Sequence, residues 1–139
     1  GILESTLDSI KAKITSLQVE IRKDYCSGFP VISVDREQIT RAFSNLMINA
    51  LDAMPEGGVM TIATGTEGHY FVVKIEDTGT GIGEEDIIRI FDPFFSTKAS
   101  GIGLGLSMTY GTIVSHGGTI SVESQQETGT LFTISLPMN

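Results

Sequence analysis

The chain is poor in cysteine, proline, histidine and basic residues. Cys26 is the only cysteine among 139 residues, which excludes an internal disulfide framework and a multi-cysteine zinc site. No histidine lies near Cys26 in sequence, so a reactive thiol is not expected there. The four prolines mark no linker, and with no internal repeat or low-complexity tract residues 1–139 read as one domain. No apolar run approaches the ~20 residues of a membrane helix, and no signal-peptide pattern is visible. Nine Lys+Arg face 17 Asp+Glu, a net charge of −8. That balance lacks the basic stripe a duplex-DNA or RNA binder needs. The length suffices for a core of its own, with about two-thirds of the unfolded surface buried. The abrupt start at Gly1 reads as a cut from a longer protein.

Glycine, by contrast, is abundant. There are 16, and nine lie within residues 79–118. Around them the chain divides into regular elements. Leu3, Leu7, Ile10, Ile14 and Leu17 form one apolar stripe of a helix. Leu17–Ile21 alternates like a half-buried strand, and Ser27-Gly28 and Pro30 break the chain. The strongest helix spans Asp35–Met54, with Asp35 as its cap and Gln38 completing a capping-box-like pair. Its apolar face carries Ile39, Phe43, Leu46, Ala50 and Met54. Pro55 and Gly57-Gly58 end it.

Two strands follow, Val59–Thr64 and Tyr70–Glu76, joined by Gly65–Gly68. A short helix is predicted over Glu84–Ile90. Another helix runs from about Gly105 to His116, burying Leu106, Tyr110, Ile113 and Val114, and Gly117-Gly118 stop it. Strands Thr119–Glu123 and Thr130–Leu136 close the chain. Hairpin-paired strands with helices enough for one face predict a two-layer α/β sandwich.

Arg41, Asn45, Asn49 and Asp52 share one face of the Asp35–Met54 helix at 100° per residue. A solvated polar face would account for that spacing. Asn is, however, a mediocre helix former, so two of them one turn apart in a mostly buried helix ask for a reason. Amide oxygens suit Mg²⁺ held mainly by water and phosphate.

The glycines fall into two loops. Asp77 closes a strand and leads into Gly79, Gly81 and Gly83, whose missing Cβ atoms permit close approaches. The second cluster, Gly101-Ile-Gly-Leu-Gly-Leu106, opens a helix, where gathered N–H groups can bind phosphate. Leu106 in place of a glycine, with no parallel βαβ unit before the cluster, departs from the dinucleotide fingerprint. No Gly-Lys-Ser/Thr phosphate loop and no protein-kinase catalytic loop occurs. Residues 93–122 contain no carboxylate, and Lys98 is their only Lys or Arg, so the stretch is hospitable to an anion. Phe91–Ser100 reads as a mobile lid with aromatic anchors.

Four motifs thus stand in order: FSNLMINALDAM at 43–54, EDTGTGIG at 76–83, FDPFFSTK at 91–98 and GIGLGLS at 101–107. Together with the closing GGTISVES and GTLFTISLP they resemble the ATP-binding catalytic domain of a sensor histidine kinase. That domain belongs to the GHKL superfamily, shared with type II topoisomerases, chaperone ATPases and mismatch-repair ATPases. The resemblance covers essentially the whole chain. It implies a Bergerat-type two-layer α/β sandwich, with a mixed, mostly antiparallel sheet covered on one face by helices. A flexible ATP lid is implied over about 91–104.

By this resemblance the cofactors are ATP and Mg²⁺. Asn49 would ligate the metal and Asn45 would lie beside the phosphates, with Asp52 on the same face. Asp77 would accept from the adenine amine, and Gly79, Gly81 and Ile82 would form the base-side loop. Thr130 would complete the adenine contacts, directly or through water. Gly101, Gly103, Leu104, Gly105 and Leu106 would wrap the phosphates, with Lys98 reaching the γ-phosphate. Catalytic roles fall to Asn45, Asn49 and Lys98. Thr78 replaces the Asn often found after the Asp. The superfamily's ATP hydrolases carry a Glu one turn before the metal Asn; here that place is Asn45, which suits a kinase. His69 and His116 read as structural, the latter meeting a helix dipole.

The acceptor histidine is therefore expected upstream of Gly1, on a dimerising phosphotransfer domain. The implied function is transfer of the γ-phosphoryl group to that histidine, in two-component signal transduction. A downstream response regulator is the second implied partner, and no nucleic acid is. The domain alone is expected to be monomeric, the full-length protein a homodimer, and the domain cytoplasmic within a sensor that a membrane could anchor. A serine kinase of the anti-sigma type and a non-enzymatic nucleotide-sensing module are the alternatives, and a Rossmann oxidoreductase is disfavoured.

Overall fold

The computed structural model describes residues 2–25, 34–82, 87, 90–91 and 105–138. In chain order the elements are α1 (Ile2–Ser9), α2 (Lys11–Leu17), β1 (Val19–Asp24), α3 (Arg36–Asp52), β2 (Gly58–Glu67), β3 (Tyr70–Asp77), α4 (Gly105–Ser115), β4 (Thr119–Gln125) and β5 (Gly129–Pro137). The strands form one sheet in the order β1-β2-β3-β5-β4. Only β1 and β2 are parallel, as a crossover through α3 requires; the other three pairs are antiparallel. The expected two-layer α/β architecture is thus observed.

The alternation of β2, β3 and β5 turns Met60, Ile62, Phe71, Val73, Ile75, Phe132, Ile134 and Leu136 inward. Against them lie Ile39, Phe43, Leu46, Met47, Ala50, Leu51 and Met54 from α3 and its end. Every residue assigned to the apolar stripe of this helix is buried. On the opposite face Thr61, Ala63, Thr133 and Ser135 are small or polar, and the sheet meets solvent there.

Several boundaries differ from expectation. The N-terminal stripe is two helices, broken at Ile10 (φ −112, ψ 11). The Ser9 hydroxyl donates to Thr6 O at 2.7 Å, a side-chain bond that competes with the helical ladder. The break keeps Leu3, Leu7 and Ile10 buried while α2 buries no residue fully. Leu17 ends α2, so the strand starts at Val19 and not at Leu17. The β2–β3 turn is Gly68-His69, not Gly65–Gly68, because Gly65, Thr66 and Glu67 pair with Val72, Phe71 and Tyr70. Gly68, at φ +61, supplies the left-handed residue the tight turn needs.

Helix α4 packs with Leu106, Thr109 and Ile113 toward α3 and the sheet. Tyr110 and Val114 were expected inside but are 45% and 48% exposed, since they lie off that i, i+3, i+7 line. Tyr110 instead flanks Phe91, with ring centroids 5.3 Å apart, and Phe91 also meets Phe132 at 6.5 Å. Phe91 thus packs between α4 and β5. Cys26, and the predicted 84–90 helix apart from Ile87 and Ile90, lie outside the described residues.

The capping pair of α3 is half as expected. Asp35 Oδ1 accepts from Gln38 N at 3.1 Å. The Asp35 N–H, which Gln38 would satisfy in a full capping box, donates to His116 Nε2 at 3.0 Å. His116 Nδ1 lies 2.8 Å from Thr112 O. A carbonyl only accepts and a peptide N–H only donates, so the proton sits on Nδ1. His116 meets the end of α4 as an N–H donor rather than as a cation. It ties the C-terminus of α4 to the N-terminus of α3. Replacing His116 with Ala should lower the free energy of unfolding by about 1 kcal/mol, and His116→Gln, whose amide oxygen can accept from Asp35 N, should recover part of it. Denaturant unfolding of both variants checks this; equal losses would dissociate the effect from the Asp35 contact.

Candidate functional site

Two contacts fix how α3 and α4 run. His116 and Asp35 join the end of one helix to the start of the other. Midway, Asn45 Nδ2 donates to Thr109 Oγ1 at 3.4 Å, and Thr109 is only 1% exposed. The helices are therefore antiparallel. Stepping four residues from that contact in opposite directions brings Asn49 level with Gly105, the first residue of α4. The first turn of α4, at the positive end of that helix's dipole, thus stands beside the second Asn of α3.

The polar face of α3 is divided among neighbours. Arg41 is exposed and pairs with Glu37 at 3.4 Å. Asp52 pairs with Lys13 of α2 at 2.6 Å, a partner that the sequence did not suggest. Asn45 and Asn49 remain half-buried on the α4 side.

Asp77 ends β3 at the same end of the molecule. It is 5% exposed, and burial pushes its carboxyl above the ordinary value of 3.8. Main-chain N–H bonds from Gly79 and Thr130 oppose that shift without cancelling it; the Gly79 bond measures 2.9 Å. Thr130 is Asp77's register partner in β5. A buried carboxylate is a strong hydrogen-bond acceptor.

The loop after Asp77 is held on two sides. Thr80 N donates to Ala53 O at 3.0 Å, just past the end of α3. Ile82 N donates to Ser124 Oγ at 2.7 Å in β4. The two loop glycines serve these approaches. A Cβ on Gly79 would lie 2.4 Å from Ala53 O, and one on Gly81, at φ +72, would lie 2.0 Å from Gln125 O. Thr78 also has a structural task, its hydroxyl accepting from Val59 N at 3.1 Å. An open cleft of about 420 Å³ at this sheet end is lined by Asp77, Thr78, Ser124, Gly129 and Thr130, among others.

Of the residues predicted for the site, Asn49, Asp77, Gly79, Gly81, Ile82 and Thr130 lie toward the end of the sandwich where α3 ends and α4 starts, and Asn45 lies one turn further back, midway along α3. Asp52 is turned to Lys13. Lys98, Gly101, Gly103 and Leu104 lie outside the described residues. Ser124 was missed. Its only signal in the sequence is the short β4–β5 turn, which sets it opposite Thr130. Among the described residues, no group of three or more His, Cys, Asp or Glu side chains could cage a metal.

Comparisons with known proteins agree with this geometry. The family model described as histidine kinase-, DNA gyrase B-, and HSP90-like ATPase matches residues 34–139. Sensor histidine kinase ZraS of Escherichia coli is 33% identical over 138 residues, which are 99% of this chain and 30% of ZraS. Sporulation kinase A of Bacillus subtilis is 41% identical over 117 residues, 84% of this chain and 19% of that kinase. The chain thus spans about a third or less of the length of these curated relatives. Among solved structures, the catalytic domain of histidine kinase ThkA superposes with a TM-score of 0.89 at 29% identity, over 99% of this chain and 90% of that one. ThkA in complex with the response regulator TrrA gives 0.84 at 27% identity, over 99% and 40%. With its asparagine helix, its buried Asp77 and its glycine loops in the sandwich these proteins share, the chain belongs to the histidine kinase-, DNA gyrase B- and HSP90-like ATPase family.

Proposed function

We propose that residues 1–139 are the ATP-binding catalytic domain of a sensor histidine kinase, acting in two-component signal transduction. The observation that carries this reading is the antiparallel α3–α4 pair, which sets Asn49 beside a helix N-terminus at the same end as Asp77. A nucleotide spanning these points has its base at Asp77 and its phosphates at α4. Asp77 accepts from the adenine amine, and guanine, with a carbonyl there, is disfavoured. Thr130 lies beside it in register. Asn49 holds Mg²⁺, whose charge offsets that of the phosphates; Asn45 stands beside them. Gly101, Gly103, Leu104 and Gly105 wrap the phosphate chain, and Lys98 reaches the γ-phosphate from the lid over about 91–104.

Transfer then needs an acceptor. A histidine nitrogen on a separate dimerisation and phosphotransfer domain attacks the γ-phosphorus as the bond to the β–γ bridging oxygen breaks, releasing ADP. An amide at position 45 cannot take a proton from water, so hydrolysis lacks a base there. His116 has both ring nitrogens engaged within the fold, which speaks against it as the acceptor. The parent protein would be a homodimer that passes its phosphoryl group to a response regulator. Among the described residues no helix is long and apolar enough to cross a membrane; a cytoplasmic position within an anchored sensor remains part of the proposal. The direct test supplies Mg-ATP and a histidine-bearing dimerisation domain. Acid-labile, alkali-stable label on that domain is the expected product; label on serine would favour the anti-sigma type of kinase.

Two variants probe the site. Asn49→Ala should weaken Mg-ATP binding by about 100-fold or more, since even outer-shell partners of a metal are worth 10–100-fold, with unfolding unchanged. Calorimetric titration at unaltered affinity would remove Asn49 from the site. Asp77→Asn should weaken adenine nucleotides at least about tenfold and yet leave the melting temperature at pH 7 no lower than that of the parent chain. The sign follows from burial. A carboxyl whose folded value is raised contributes most below its unfolded value and loses that contribution as pH rises through the folded one. Asn carries no charge to bury, so its advantage is present at neutral pH, fades as pH falls through the raised folded value of Asp77, and is gone below the ordinary value of 3.8. A variant less stable at pH 7 than at pH 3, relative to the parent, would contradict this.

A further inference from the structure

Ser124 stands at the meeting point of three contacts. Its Oγ lies 2.7 Å from Ile82 N, 2.9 Å from Gly129 O and 2.8 Å from Thr130 Oγ1. One hydroxyl has one proton and two lone pairs. A carbonyl oxygen cannot donate, so the 2.9 Å contact to Gly129 O is attractive only if the Ser124 proton lies in it. The Ser124 Oγ must then accept both from the Ile82 N–H and from the Thr130 hydroxyl. The Thr130 proton is thereby committed to Ser124, and Thr130 Oγ1 turns only lone pairs to any other neighbour.

Thr130 and Asp77 are register partners at one end of the sheet, and both are 5% exposed. We infer that Ser124 is a specificity-determining residue of the nucleotide site: by fixing the Thr130 proton it makes Thr130, like Asp77, an acceptor, so that the pair selects a purine bearing an amine and rejects one bearing a carbonyl at that position. This rests on the reading of Asp77 and Thr130 as the base end of an ATP site. Ser124 acts through Thr130 and through the loop it holds at Ile82. The chemistry matches a general asymmetry of recognition: a buried acceptor facing a carbonyl leaves two lone-pair-bearing oxygens opposed with no proton between them.

The test compares ADP with IDP, which has a carbonyl in place of the amine at carbon 6 of the purine and a proton on the neighbouring N1. Titrations use the 139-residue chain in Mg²⁺ buffer, with the Ser124→Ala, Ser124→Thr and Thr130→Val variants. The parent chain should prefer ADP. In Ser124→Ala the Thr130 hydroxyl is free to turn and donate to a carbonyl, so the ADP/IDP ratio of affinities should narrow by about tenfold. Affinity for IDP should rise while that for ADP falls, a split that simple loosening of the fold does not produce. Ser124→Thr keeps the hydroxyl and should restore the ratio. Should Ser124→Ala fail to fold, Thr130→Val carries the test, since removing the acceptor should narrow the ratio in the same direction. A parent chain that prefers ADP, with Ser124→Ala (or, where that variant does not fold, Thr130→Val) keeping its ratio, overturns the role of Ser124 alone. A parent chain that binds neither nucleotide, or both equally, overturns the ATP site together with it.

Discussion

His116 holds a ring nitrogen against each of two helix ends, and the geometry of the site follows from that clamp. One nitrogen takes a free N–H at the start of α3; the other serves a carbonyl in the last turn of α4. The Asp35 N–H finds its acceptor in the ring, while Thr112 O, which also accepts from His116 N at 3.2 Å and from the Ser115 hydroxyl at 2.8 Å, gains a further donor. Together with the Asn45–Thr109 contact it leaves α4 only one direction along α3. The start of α4 then has to stand by Asn49. A helix terminus is set beside an amide side chain by a residue at the far end of both helices.

The base end is organised on a different principle. There the sheet provides the frame: β3 delivers Asp77, β5 delivers Thr130 opposite it, and β4 delivers Ser124 opposite Thr130. The loop after β3 is strung between Ala53 O and Ser124 Oγ. Its glycines are needed first for those approaches, because a Cβ at Gly79 or Gly81 would run into main-chain oxygen. The carboxylate at Asp77 is held at a cost: burial raises its proton affinity, and two main-chain N–H bonds only partly offset this.

Most of this was legible before the structure, for identifiable reasons. The α3 stripe has the 3.6-residue period over five turns, and all of its assigned residues are buried. The two C-terminal strands alternate cleanly and were read to within two residues. Where the reading failed, a local signal competed with a tertiary one. The stripe Leu3–Leu17 is continuous on paper, yet the chain bends at Ile10 to follow α3. Gly65 looks like a turn residue but is held in the ladder opposite Val72. Tyr110 and Val114 are apolar, and an apolar residue need not be buried.

Residue types and their order by themselves determined the layered α/β class, the two glycine loops, the asparagine pair and the buried acid at the end of a strand. These are local properties: period, turn chemistry, and the tolerance of a backbone for a missing Cβ. Tertiary structure alone decided that α4 runs against α3, that Asp52 turns to Lys13 rather than to its helix neighbours, and that a serine six residues before Thr130 fixes the threonine's proton. Such facts depend on hydrogen-bond partners far apart in the chain. A donor or acceptor in the sequence carries no record of which distant group will satisfy it until packing has brought the two within 3 Å.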